Sequence, residues 1–190
     1  MYRLIFGVLL LAWAVSPRAE PAKVEVFAEC HGADGIGRER TPIIAGIPAS
    51  HVAAALYAYK DGLRRCVEEP RMCALAAELS VAEIEELAEH YGAMRRQPSG
   101  EDFDLIKAHN GGQIHEARCS DCRVFPEDEN VDSALGIPLH AQRANYLRFA
   151  LDAYRNGYRD TLLPAMEKEI AALGAEEIEA LIHYYVSYWR

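Results

Sequence analysis

Helical spacing dominates the apolar positions of this chain. Ser80-Val81-Ala82-Glu83 has the form of a capping box, in which a serine hydroxyl and a glutamate carboxylate satisfy backbone N–H groups at a helix start. Ile84, Leu87, Ala88 and Tyr91 then follow on one helical stripe, and Ile178, Leu181, Ile182 and Tyr185 form the same stripe after Gly174. Ahead of these, the spacing predicts helices over 51–60 and 141–155, each halted near a glycine, Gly62 or Gly157. A further helix is predicted from Asp102 to Asn110, stopped by Gly111 and Gly112, with Ile114 to Cys122 continuing beyond it. No segment shows the period-two alternation of a half-buried strand, so the pattern predicts an all-α protein.

The chain also matches itself. Tyr59-Lys60-Asp61-Gly62-Leu63-Arg64 is answered by Tyr154-Arg155-Asn156-Gly157-Tyr158-Arg159, and Glu83-Ile84-Glu85-Glu86-Leu87 by Glu177-Ile178-Glu179-Ala180-Leu181. Met72 precedes Leu79 by the same distance as Met166 precedes Leu173, and Cys30 is matched by Cys122. Two copies of one small helical domain explain this economically. The expected organisation is an N-terminal leader over 1–19, a first domain over 20–96, a linker over 97–101 around Pro98-Ser99-Gly100, and a second domain over 102–190.

The leader reading rests on Arg3, the apolar run from Leu4 to Val15, and the small residues Ala14, Ser16 and Ala19, which have the pattern of a cleaved secretory signal; an uncleaved N-terminal anchor is the other reading. No later stretch reads as a membrane span. Export to the periplasm is therefore expected. A formal net charge of -9 disfavours nucleic acid and favours a partner with a basic docking face. Five cysteines, Cys30, Cys66, Cys73, Cys119 and Cys122, are an odd set for an oxidising compartment, so one of them needs a cofactor or another partner.

Cys30-His31-Gly32-Ala33-Asp34-Gly35 is the second half of a CxxCH motif, in which two cysteines bind haem vinyl groups and the histidine ligates iron. Phe27 stands at the first cysteine position, which leaves one thioether, through Cys30. With Thr41-Pro42-Ile43-Ile44-Ala45-Gly46, the Tyr59–Gly62 turn, Met72 and the capped helix following in order, the chain resembles the tandem diheme cytochromes c, and specifically the cytochrome subunit of flavocytochrome c sulfide dehydrogenase. The resemblance implies two cytochrome c-like domains, haem c in the first, and His31 and Met72 as axial iron ligands. It also implies an electron-transfer role beside a catalytic partner, a flavoprotein or another redox subunit, rather than an enzyme. Taken alone, Met72 reads as a gap-filling core methionine.

In the second half, Cys119-Ser120-Asp121-Cys122 supplies both cysteines, and Met166 falls at the methionine position. Arg123 replaces the histidine, and a permanently charged guanidinium has no lone pair for iron. Leu139-His140-Ala141-Gln142 is a loose version of the family's glutamine-containing turn. The resemblance implies that haem attachment uses both cysteines and the histidine, and neither half has all three. One alternative is a haem-free docking subunit. In that case Phe27 and Phe125 swing inward, a Cys66–Cys73 disulfide closes a short loop at the pocket rim, and Cys119 and Cys122 close another. A second is copper, held by Cys30, His31, Met72 and Cys73, with His115, Cys119, Cys122 and Met166 as a similar set. Thiol–disulfide exchange at Cys119 and Cys122 lacks the α/β context such motifs occupy. His109, near a helix end, and His90 and His183, before tyrosines, read as surface or capping residues.

Overall fold

A computed structural model describes residues 23–67, 70–161 and 163–188; the leader lies outside them. The first half folds as α1 (Val24–His31), α2 (Ala49–Lys60), α3 (Arg71–Glu78) and α4 (Val81–Gly92). The second repeats this order as α5 (Leu105–Arg118), α6 (Ala144–Arg155), α7 (Pro164–Ala172) and α8 (Ala175–Ser187), with a short 3-10 turn at Val131–Ser133 before α6. Among the described residues the only extended pairing is an isolated bridge between Arg64 and Arg159. No described helix is long and apolar enough to cross a membrane.

The apolar stripes form two cores. Phe27 from α1, Val52 and Leu56 from α2, and Ile84, Leu87 and Tyr91 from α4 pack together in the first half. Leu147 from α6 meets Ile178, Leu181, Ile182 and Tyr185 from α8 in the second. The box at Ser80 forms as its residues predict, with Glu83 N–H donating to Ser80 Oγ at 3.3 Å and Ser80 N–H to Glu83 Oε2 at 2.8 Å. Gly174 starts α8 with the backbone half of the same device, its N–H donating to Glu177 Oε2 at 2.8 Å.

Several expectations need correction. Gly111 and Gly112 do not stop a helix: α5 runs through both. A Cβ at Gly111 would lie 2.0 Å from the carbonyl oxygen of Ala180, so that glycine is where α5 and α8 cross closely. Its loss of helix propensity is offset by the packing it permits. His109 accordingly sits inside a helix, exposed, rather than at its end. The helix predicted over 141–155 begins only at Ala144, because Ala141 is left-handed (φ 63°) and belongs to a turn. His183 accepts from the N–H of Asp104, the residue that caps α5, at 3.1 Å.

That turn has a counterpart in the first half. Gly46 (φ 66°) donates its N–H to Tyr91 O at 2.9 Å, and Ala141 donates to Tyr185 O at 2.8 Å. The repeats meet with matching residues. Arg65 N–H donates to Tyr158 O at 2.7 Å, Asp160 N–H to Leu63 O at 2.8 Å, and Arg65 pairs with Asp160, 95 residues away. Pairing each loop with its own copy gives the interface an approximate two-fold symmetry.

Gln142, buried, closes this interface. Its Oε1 accepts from Ile43 N–H at 2.7 Å and its Nε2 donates to Ile43 O at 2.9 Å. Both backbone groups lie away from water, so removing the amide strands a donor and an acceptor. Gln142→Ala is expected to lower unfolding stability by about 2–4 kcal/mol, measured by urea titration. A loss below about 0.5 kcal/mol, within the range of an ordinary surface change, contradicts the clamp.

Candidate functional site

His31 ends α1 and is buried to 4% exposure. The adjoining Gly32 (φ 76°) turns the chain away, and the loop returns so that Pro42 O accepts from His31 Nδ1 at 3.1 Å. A carbonyl only accepts, so the proton is on Nδ1 and the lone pair on Nε2. Burial lowers the imidazole pKa to about 4 against the opposing effect of that hydrogen bond, which keeps the ring neutral near pH 7. Phe27, at the missing cysteine position, lies nearly parallel to this ring, with centroids 6.1 Å apart and planes at 18°.

His31 lines a cavity of about 680 Å³ shared by the two halves. Cys30, His31 and Met72 line it from the first half, and Cys119, Cys122 and Met166 from the second. The six residues proposed as haem contacts thus border one space, whereas Cys73 and His115, proposed with them as copper ligands, do not line it. An ion pair between Arg71 and Glu29 joins the helix bearing Met72 to the helix bearing Cys30 and His31. Cys66 and Cys73 form a disulfide beside Met72. Cys119 and Cys122 do not pair and, with Cys30, are free thiols, half-buried. The two cysteines lie on one turn, in which Cys122 and Arg123 N–H both donate to Cys119 O, at 3.1 and 3.0 Å. Burial pushes the Cys119 thiol pKa up, the opposite of what an exchange-active cysteine needs.

Haem fits the first half on three observations. The imidazole is fixed by one nitrogen and presents the other, a thioether and a thiol share its cavity, and the walls include Ile44, Val52, Leu56 and Leu75. Arg159, exposed to only 5%, also lines the cavity. Among the described residues its side-chain hydrogen bonds go to phenols, Tyr59 at 3.4 Å and Tyr146 at 3.5 Å, and it makes no ion pair. A buried cation with no carboxylate partner among the described residues suits a cofactor that brings its own carboxylates.

The second half does not fit haem. Arg123 Nη1 donates to Ile137 O at 3.2 Å and Nη2 to the Met166 sulfur at 3.0 Å. No imidazole is offered there, and the thioether already accepts a hydrogen bond. Among the described residues no group of three or more His, Cys, Asp or Glu side chains gathers to hold a metal ion.

Sequence reasoning missed a histidine and aromatic cluster beside this half. His115 Nδ1 lies 3.0 Å from Tyr185 Oη, and Phe125 stacks on His140 with centroids 4.4 Å apart. Phe125 thus covers His140 while remaining 43% exposed, rather than filling a core void. Arg96 reaches across to donate to His140 O at 2.6 Å. The signal available was the Leu139-His140-Ala141-Gln142 turn, in which His140 and Gln142 are both buried.

No protein-family model matches the chain. It is 29% identical over 181 residues to the thiosulfate dehydrogenase electron acceptor of Stutzerimonas stutzeri (strain A1501), covering 89% of this chain and 81% of that protein. It is similar to the thiosulfate dehydrogenase (TsdBA) structure from Marichromatium purpuratum (TM-score 0.67, 27% identity), which it matches over 85% of its own length and 36% of that longer chain. The reduced cytochrome c4 structure from Pseudomonas stutzeri superposes with a TM-score of 0.72 at 23% identity, covering 88% of this chain and 95% of that one. The fold is that of the tandem, diheme-type cytochromes c, all-α with two cytochrome c-like halves.

His140, fully buried, has its pKa lowered to about 3, by burial first and then by His115 and Arg96. Below the ordinary value near 6.5 an unfolded chain takes up a proton that the folded chain refuses, so stability falls as pH drops from about 6.5 toward 3. The slope reaches about 1.4 kcal/mol per pH unit for this residue. Urea unfolding of His140→Phe between pH 4 and 6 is expected to show a shallower slope, and an unchanged slope contradicts the assignment.

Proposed function

We propose that the protein is an exported electron-transfer subunit that carries haem c in its first half and works beside a catalytic redox partner. The observation that carries this reading is the buried His31 imidazole, anchored by Pro42 and lining a cavity with Met72 and Cys30. When bound, haem supplies one-electron redox chemistry at its iron. This chain's part is to hold and tune. Nε2 of His31 and the thioether of Met72 would hold the iron, and the Cys30 thiol would supply a single covalent tether. Phe27 shields the imidazole from water, and Arg159 offers a positive charge to acidic groups of the cofactor.

Haem is favoured over copper by size, since about 680 Å³ of largely apolar space is far more than an ion needs. Periplasmic residence follows from haem attachment and from the signal-like start of the chain. The catalytic partner we infer is a sulfur-compound dehydrogenase. The similarity to a thiosulfate dehydrogenase electron acceptor favours a thiosulfate-oxidising partner over the sulfide-oxidising flavoprotein suggested by the sequence. A net charge of -9 suits a partner whose docking face is basic, with an on-rate that falls as salt rises. The second half, with boundaries near residues 102–190, serves chiefly in docking.

Protein produced in a cytochrome-maturing periplasm is expected to show a Soret band and the added mass of one haem, both lost or sharply reduced in Cys30→Ser. Met72→Ala is expected to keep the haem and lower its reduction potential on titration, because the potential depends on the axial ligand. Unmodified mass with no Soret band sinks this reading.

A further inference from the structure

We propose that Arg123 is a built-in occupant of the second cofactor site, bridging the Ile137 carbonyl and the Met166 thioether so that this half folds without haem and keeps Cys119 and Cys122 as thiols. The inference extends the preceding proposal, which places haem in the first half.

The two halves supply the comparison. Pro42 lies four residues before left-handed Gly46, and Ile137 four before left-handed Ala141, so their carbonyls occupy corresponding places. In the first half that carbonyl accepts from the His31 imidazole; in the second it accepts from the Arg123 guanidinium. Arginine is longer than histidine, and its planar fork has donors to spare. Another of them reaches the sulfur of Met166, the counterpart of Met72. One side chain therefore joins the two positions between which an iron would be held.

The surroundings are shaped for that guanidinium. A Cβ added at Gly136 would lie 2.0 Å from Arg123 Nη1 and 2.3 Å from its Cζ, and in the first half the corresponding position is Thr41. Gly136 is buried and has no positive φ to require a glycine, and its lack of a side chain leaves room for the guanidinium. Arg118, just before the cysteines, is tied to Glu169 at 2.6 Å and Glu177 at 3.4 Å. The turn that carries the dithiol is thereby anchored to α7 and α8 independently of any cofactor.

The test is peptide mapping of the full chain made in a haem-attaching periplasm. In the parent, the peptide holding Cys119 and Cys122 is expected to carry no haem and to take two alkyl groups without prior reduction; a peptide that takes them only after reduction overturns the thiol assignment. Haem on that peptide overturns the inference. Arg123→His, which completes a CxxCH sequence, is expected to gain haem there; a folded variant that gains none equally overturns the role given to Arg123. If Arg123→His does not fold, Gly136→Ala is compared in two backgrounds. It is expected to lower Tm by roughly 5 °C or more in the parent and by much less in Arg123→Ala, whereas equal falls overturn the inference. Absence of haem from the Cys30 peptide sinks the preceding proposal and leaves this one standing.

Discussion

The structure turns on one backbone carbonyl in each half, delivered to the cavity by a turn whose last residue is left-handed. Gly46 and Ala141 make the reversal, and the hydrogen bonds to Tyr91 and Tyr185 lock each turn onto the end of the terminal helix of its half. Both tyrosines are core residues of α4 and α8. The position of the carbonyl is therefore fixed by the best-packed part of each half. A histidine placed opposite it acquires a set tautomer and a directed lone pair. An arginine placed opposite it donates to the same carbonyl and offers no lone pair at all. The same scaffold thus supports opposite outcomes through a single side chain.

The distribution of charge follows the same division between outside and inside. The chain is acidic overall, yet arginines from both halves, Arg64, Arg123 and Arg159 among them, line the internal space. Arg159 stacks over the rings of Tyr146 and Phe149, with its carbon 5.5 and 5.3 Å from their centroids. Aromatic faces and phenol oxygens partly compensate a buried guanidinium. The acidic exterior acts at longer range, on the approach of a partner, and is sensitive to salt where the interior is not.

Much of the helical fold was legible because its signals are local. The capping box at Ser80, the stripes of α4 and α8 and the glycines after α2 and α6 each need only a few neighbouring residues to be read. The repeat made the domain count legible in the same way. Gly111 misled because a glycine's local preference is to break a helix, whereas the contact it serves, the Ala180 carbonyl on α8, is remote in sequence. The candidate ligands Cys30, His31, Met72, Cys119, Cys122 and Met166 were implied by the resemblance and the repeat, and these six residues line one cavity.

The sequence by itself determined the helices, the duplication, and the fact that each half lacks part of a haem-attachment motif, since all three depend on residue identity and short-range order. Only the tertiary structure decided what the departures do. That Phe27 lies against the His31 ring, that Gln142 clamps Ile43, and that Arg123 joins Ile137 to Met166 are contacts between segments distant along the chain or set by side-chain direction. Spacing can say which residue types are present. Whether a lone pair is presented or already taken depends on three-dimensional geometry, and there the two halves differ.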